Sequence, residues 1–125
     1  MRTPLPVLAA AMAGLVAASS AQAEYIPRPG AILQGLDKIT ARVTELKVAN
    51  GDVVLYGRLS IKVDACDEHP PEEPPEAAAF LEVTDLSASP PTEIFRGWMF
   101  ASSPAVSALE HPVYDVRVLR CWAPE

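Results

Sequence analysis

Between Arg58 and Ala65 apolar and polar residues alternate without a break: Leu59, Ile61, Val63 and Ala65 against Arg58, Ser60, Lys62 and Asp64. A period of two is the mark of a half-buried strand. The same spacing occurs earlier, where Ile39, Ala41 and Val43 alternate with Lys38, Thr40, Arg42 and Thr44. That run extends toward Val48, with a slip of phase near Glu45 and Leu46. Asn50-Gly51-Asp52 lies between the two runs and is a strong turn signal. Two alternating runs around Asn-Gly predict a hairpin, with Gly57 marking a bulge or bend before the second run.

The rest of the chain also reads as short strands. Glu24–Gly30 holds Tyr25, Pro27 and Pro29 and predicts an extended lead. Asp67–Glu76 interrupts the alternation: Pro70-Pro71 and Pro74-Pro75 bracket Glu72-Glu73. Paired prolines fix φ and remove ladder donors, so a stiff, polyproline-like, exposed loop is expected. Ala77–Val83 predicts a short strand, or a helical turn running into one, and Thr84–Thr92, which holds Ser89-Pro90-Pro91, a loop. Glu93–Ala101 is a strand with apolar groups on both faces, through Phe95, Trp98, Met99 and Phe100, and so needs cover on both sides. Ser103-Pro104 is an N-cap with proline at the first helical position, ahead of Ala105, Val106 and Leu109 on one helical face. The helix stops before Pro112 and is the expected cover. Tyr114, Val116 and Val118 form a last strand ending at Cys121. The sum is about six strands and one short helix, a small, mainly antiparallel β-barrel or sandwich.

The first 23 residues read as a leader rather than as part of this domain. Met1-Arg2 is a basic start, Val7–Ala18 is apolar, and Ala21-Gln22-Ala23 fits the small-x-small cleavage pattern. The apolar run is too short to cross a ~30 Å hydrocarbon core, which needs roughly 20 residues. The expected organisation is a signal peptide over 1–23, an extended lead over 24–35 and a single β-rich domain over 36–125. Cleavage after Ala23 takes 23 of the 125 residues and leaves 102, enough for one modest core. It also removes one of 10 basic residues, leaving 9 against 16 acidic, a net charge near −7. Such a balance gives no electrostatic footprint for nucleic acid and none for anionic lipid surfaces.

Cys66 and Cys121 are the two cysteines. In an oxidising compartment they allow one intramolecular bridge. Closing a loop of about 55 residues stabilises by roughly 4 kcal/mol on chain-entropy grounds. A redox-active pair would more typically sit as Cys-x-x-Cys.

Three blocks resemble the alphaproteobacterial family of unknown function DUF2155. They are residues 31–40 (Ala31-Ile32-Leu33-Gln34-Gly35-Leu36-Asp37-Lys38-Ile39-Thr40), the Pro70–Glu76 loop running into Ala79-Phe80-Leu81-Glu82, and Phe95–Cys121. The last contains Gly97-Trp98-Met99-Phe100-Ala101-Ser102-Ser103-Pro104 and Ala108-Leu109-Glu110-His111-Pro112-Val113-Tyr114-Asp115-Val116. The resemblance implies a small exported envelope protein of a Gram-negative cell, located in the periplasm. It also implies an accessory part on the periplasmic side of an inner-membrane respiratory complex. It carries over no catalytic residue.

The residues themselves offer several sites to weigh. Ser103, His111 and Asp115 are the right types for nucleophile, base and orienting acid, but they crowd together in sequence and no Gly-x-Ser-x-Gly elbow is present. A Ser/His hydrolase is therefore the least favoured reading, and no catalytic residue is expected. His69 lies among Glu68, Glu72, Glu73 and Glu76, but the spacing matches no closed metal site, so neither metal nor cofactor is expected. The stiff loop Pro70, Pro71, Glu72, Glu73, Pro74 and Pro75 is a candidate docking edge. Trp98, Met99 and Phe100 are core or interface, and Trp122 is a candidate exposed anchor. The favoured function is a non-enzymatic periplasmic module that docks on an envelope protein without inserting into the membrane. The alternative is a small-ligand or carbohydrate-binding domain that uses Trp98 or Trp122 as a stacking platform.

Overall fold

The computed structural model describes residues 24–103, 109 and 111–123, with the isolated positions Thr3 and Gly14. The leader at 1–23 and the capped helix at 104–110 otherwise lie outside the described residues. Eight strands form: β1 (Ile26–Arg28), β2 (Gly30–Asp37), β3 (Arg42–Ala49), β4 (Val53–Tyr56), β5 (Leu59–Glu68), β6 (Ala77–Asp85), β7 (Thr92–Phe100) and β8 (Tyr114–Trp122). All pairings are antiparallel. The first sheet runs β1-β5-β6-β7, with β4 also on β5; the second runs β3-β2-β8. Because β6 takes one edge of β5 along its length, β1 and β4 share the other. The two sheets make a sandwich, and among the described strands neither closes into a barrel.

The core lies between the sheets. Leu33 of the second sheet meets Leu59, Ile61, Val63, Leu81 and Val83 of the first, all fully buried. Burying such side chains stabilises by about 1.5–3 kcal/mol each. Leu109 joins this same core, so the one described residue of the expected helical face packs inside the sandwich.

Three extra residues set which side chains face inward. On β5 the register steps from Val63↔Leu81 to Ala65↔Phe80, leaving Asp64 as the bulge. On β8 it steps from Val118↔Leu33 to Arg120↔Ile32, leaving Leu119. On β7 it steps from Phe95↔Val83 to Glu93↔Thr84, leaving Ile94. Each bulge reverses the alternation beyond it.

Several expectations need correction. The lead at 24–35 is not outside the sheets: it supplies β1 and most of β2. These are the two strands missing from the expected six. β2 is the central strand of its sheet, with Ala31 and Leu33 facing the core and Ile32 buried on the other side between Lys47 and Arg120. A strand covered on both faces does not alternate, so the pattern hid it. The run Ile39-Ala41-Val43 is not a half-buried strand. Residues 38–41 form a turn, Ala41 has φ 58°, and Ile39 is 75% exposed. The Asp37 carboxylate accepts from the amides of Ile39 and Thr40 and fixes the turn there. The buried residues of β3 are those beyond the slip, Leu46 and Val48.

The Asn50-Gly51 turn does not close a hairpin. It carries the chain from β3 in the second sheet to β4 in the first. The Asn50 side-chain amide donates to the Arg28 carbonyl at 2.8 Å, tying the crossover to β1. The hairpin closes instead at Gly57-Arg58, between Tyr56 and Leu59. Gly57 has φ 57° and Arg58 does not have positive φ, the pattern of a type II′ turn with glycine first. The Pro-Glu loop is not a free polyproline stretch either. Pro70 is buried, the Glu73 amide donates to the Pro70 carbonyl at 3.0 Å, and the His69 amide donates to Glu76 at 3.0 Å. The β5–β6 hairpin therefore continues into the loop.

A candidate binding face on the first sheet

The outer face of the first sheet follows from its register. Val63, Cys66, Ala79, Leu81 and Met99 point to the core, so Asp67, Ala78, Phe80, Trp98 and Phe100 point away from it. Asp67, Ala78 and Phe100 stand directly opposite one another on β5, β6 and β7. Phe80 and Trp98 form the next row and pack edge to face, with ring centroids 5.6 Å apart. Tyr25, just before β1, reaches the same face and borders a shallow depression of about 220 Å³ with Asp67, Ala78, Trp98 and Phe100. Trp98 is 40% exposed and Tyr25 43%. Among the described residues, the outer cover expected for this strand is absent. Farther along the face charged groups take over: Arg96 pairs with Glu82 at 2.6 Å and with Glu93 at 2.8 Å. The aromatic surface therefore has a defined end.

Met99 is corrected by the same register. It points inward, is 3% exposed, and belongs to the core, not to an interface. Trp98 and Phe100 belong to the outer face, so the three neighbours divide between two sides as period two requires. Trp122 follows the bulge at Leu119 and lies on the outer face of the second sheet, opposite Gly30. It is half-buried, with the Lys47 ammonium 4.0 Å from its ring centroid. The two tryptophans thus occupy opposite sides of the sandwich.

The Pro-Glu loop adjoins the aromatic face through His69, whose ring lies 4.7 Å from that of Tyr25. Its Nδ1–H donates to the Pro74 carbonyl at 2.9 Å, and Nε2 is buried without a hydrogen-bond partner among the described residues. On the loop's other side a recess of about 440 Å³ opens between Pro70, Glu76, Ser102 and Arg120. The Glu76 carboxylate accepts from the Ala77 and Ser102 amides and from the Ser102 hydroxyl, so it ties β6 to the end of β7. Burial pushes its pKa up, but the Ser102 hydroxyl and amide and the Ala77 amide outweigh that and hold it below the usual glutamate range. Among the described residues no three His, Cys, Asp or Glu side chains converge as a metal site.

Ser103, His111 and Asp115 are not brought together. Asp115 pairs with Lys38 at 3.0 Å. His111 turns to Asp85, with Nε2 3.1 Å from Oδ2. Its Nδ1 accepts from the amides of Val113 and Tyr114 at 3.0 and 3.2 Å, so Nε2 carries the proton and donates. Asp85 is held below the usual aspartate range first by the Ser87 hydroxyl and amide and then by His111. This is a latch that fixes the chain entering β8 to the end of β6. Both imidazole nitrogens are committed to these partners.

Cys66 and Cys121 are disulfide-bonded, with Cα atoms 5.7 Å apart, and join β5 of one sheet to β8 of the other. Sequence reasoning missed Tyr25, Asp67, Ala78 and Phe80 as parts of the aromatic face. A usable signal existed in Ala77-Ala78-Ala79, because small residues at the centre of a sheet leave a groove between larger neighbours.

These features define a class: a two-sheet β-sandwich joined by an inter-sheet disulfide, with an aromatic outer face. The chain belongs to the family described as "Uncharacterized protein conserved in bacteria (DUF2155)", whose model matches residues 31–121. It is similar to an uncharacterized protein of Rickettsia prowazekii (strain Madrid E), at 30% identity over 88 residues. That match covers 70% of this chain and 57% of the relative, so the shared part is little more than half the relative's length. No solved structure matches the chain.

Proposed function

We propose that this chain is an exported, non-enzymatic interaction module of the Gram-negative periplasm, and that it docks on another envelope protein through the outer face of its first sheet. The observation that carries the reading is the exposed pair Trp98 and Tyr25, which border one depression with Phe100 and share the face with Phe80. Large aromatics left in water lose burial free energy of about 1.5–3 kcal/mol each, and tryptophan and tyrosine are the usual anchors of interfaces. The leader pattern at residues 1–23 and the Cys66–Cys121 bridge support export, because such bridges persist in oxidising compartments. The loop at Pro70–Pro75 extends the face with a stiff rim that loses little entropy on docking. An accessory part of an inner-membrane respiratory complex is one form this role takes.

The test is recovery of crosslinked partners from the native envelope. Wild-type protein is expected to bring down one dominant envelope protein, and Trp98→Ala to lose it while remaining folded. A lone monomer in both cases contradicts the docking role.

A further inference from the structure

We infer that the depression between Asp67 and Phe100 is a binding site for a quaternary ammonium group. The inference rests on reading this face as a binding surface and goes further, because it assigns a ligand chemistry to one spot on it. The floor is Ala78, a methyl group set between two longer side chains in the same cross-strand row. Asp67 and Phe100 lie two strands apart, about 10 Å between backbones at the usual interstrand spacing. That gap over an alanine admits a trimethylammonium head, and the volume of about 220 Å³ accommodates it.

The walls fit the same chemistry. Tyr25, Trp98 and Phe100 offer three aromatic rings from β7 and from the segment before β1. Aromatic rings attract soft organic cations through their quadrupoles, and tryptophan does so most strongly. A carboxylate completes the set. Asp67 has no ion-pair partner among the described residues, and Arg28 on β1, Lys62 on β5 itself and Arg96 on β7 all pair elsewhere. An unpaired carboxylate beside three rings attracts a cation and repels an anion. A quaternary ammonium suits the site better than a lysine or a metal ion. It carries no N–H that the apolar walls would leave unsatisfied, and its hydration is weak.

The measurement is Trp98 fluorescence in Trp122→Phe protein, where Trp98 is the one tryptophan left of 2. Choline and tetramethylammonium are titrated against 3,3-dimethylbutan-1-ol, the neutral carbon isostere of choline. Saturable quenching by both cations with half-saturation on the order of 10 mM, and none by the alcohol, is the expected result. Asp67→Asn should weaken the cations by about tenfold or more. Cosedimentation with phosphatidylcholine vesicles, against phosphatidylglycerol vesicles, then tells whether the group arrives on a lipid or as a free solute. An equal response to the alcohol, no response to either cation, or an unchanged affinity in Asp67→Asn overturns the assignment. If the cations fail while Trp98-dependent partner capture succeeds, the cation site falls and the docking face stands.

Discussion

Cys66 and Cys121 face each other across the sandwich because each follows one extra residue in its strand. Counting inward from Val63 by twos gives Ala65 and Asp67, and from Val118 gives Arg120 and Trp122. Strict alternation would therefore send both cysteines to the outer faces. Asp64 and Leu119 each add one residue and turn both inward, to sulfur contact between β5 and β8. The same steps turn Asp67 and Trp122 outward. One pair of bulges thus builds the staple and helps place the aromatic face.

Deletion of Asp64 should prevent the bridge, since it returns Cys66 to the outer face. Alkylation of the non-reduced protein should then find both thiols free, where wild type shows none. The Cys66→Ala/Cys121→Ala pair keeps the bulges and should lose up to about 4 kcal/mol of unfolding free energy by denaturant titration.

His111→Ala should weaken the fold. The substitution leaves Asp85 without its imidazole donor and the amides of Val113 and Tyr114 without an acceptor. The expected loss is about 1–3 kcal/mol in chemical denaturation. His111→Phe should not restore it, because ring shape alone supplies neither contact.

Glu76 makes stability depend on acid. Its folded pKa lies below the unfolded value, so its contribution is present above the ordinary glutamate range and disappears as pH falls through the folded value. Glu76→Gln should therefore lower Tm at neutral pH. The gap to wild type should narrow steadily below about pH 4. A gap that stays constant down to pH 2 would contradict the assignment.

Gly57→Ala should destabilise the β4–β5 hairpin. The residue sits at φ 57° and an added Cβ would meet the Tyr114 ring. The left-handed backbone costs a non-glycine residue about 1 kcal/mol before any steric contact. Hydrogen exchange should show faster opening at Val53–Tyr56 than at β6.

Much of the fold is legible in the chain where one face alone is buried. Leu59, Ile61 and Val63 announce β5 because the other face of that strand meets water. β2 is silent because Ile32 is covered as well as Leu33. Asn50-Gly51 signals a turn, but turn chemistry is local and does not say whether the chain stays in one sheet or crosses to the other. The aromatic face was half visible for a similar reason. Trp98 and Phe100 are two apart and share a side, while Tyr25, just ahead of β1, and Asp67 of β5 reach that side through pairings that no local pattern encodes. The bridge was legible because two cysteines leave one intramolecular pairing.

The proposed meeting place of this protein and its partner is the outer face of the first sheet. A photoreactive residue placed at Trp98, compared with one at Arg117 on the opposite face, tests it in living cells. Position 98 is expected to capture one envelope protein in high yield and position 117 little. Equal yields from both positions, or capture from position 117 alone, would contradict it.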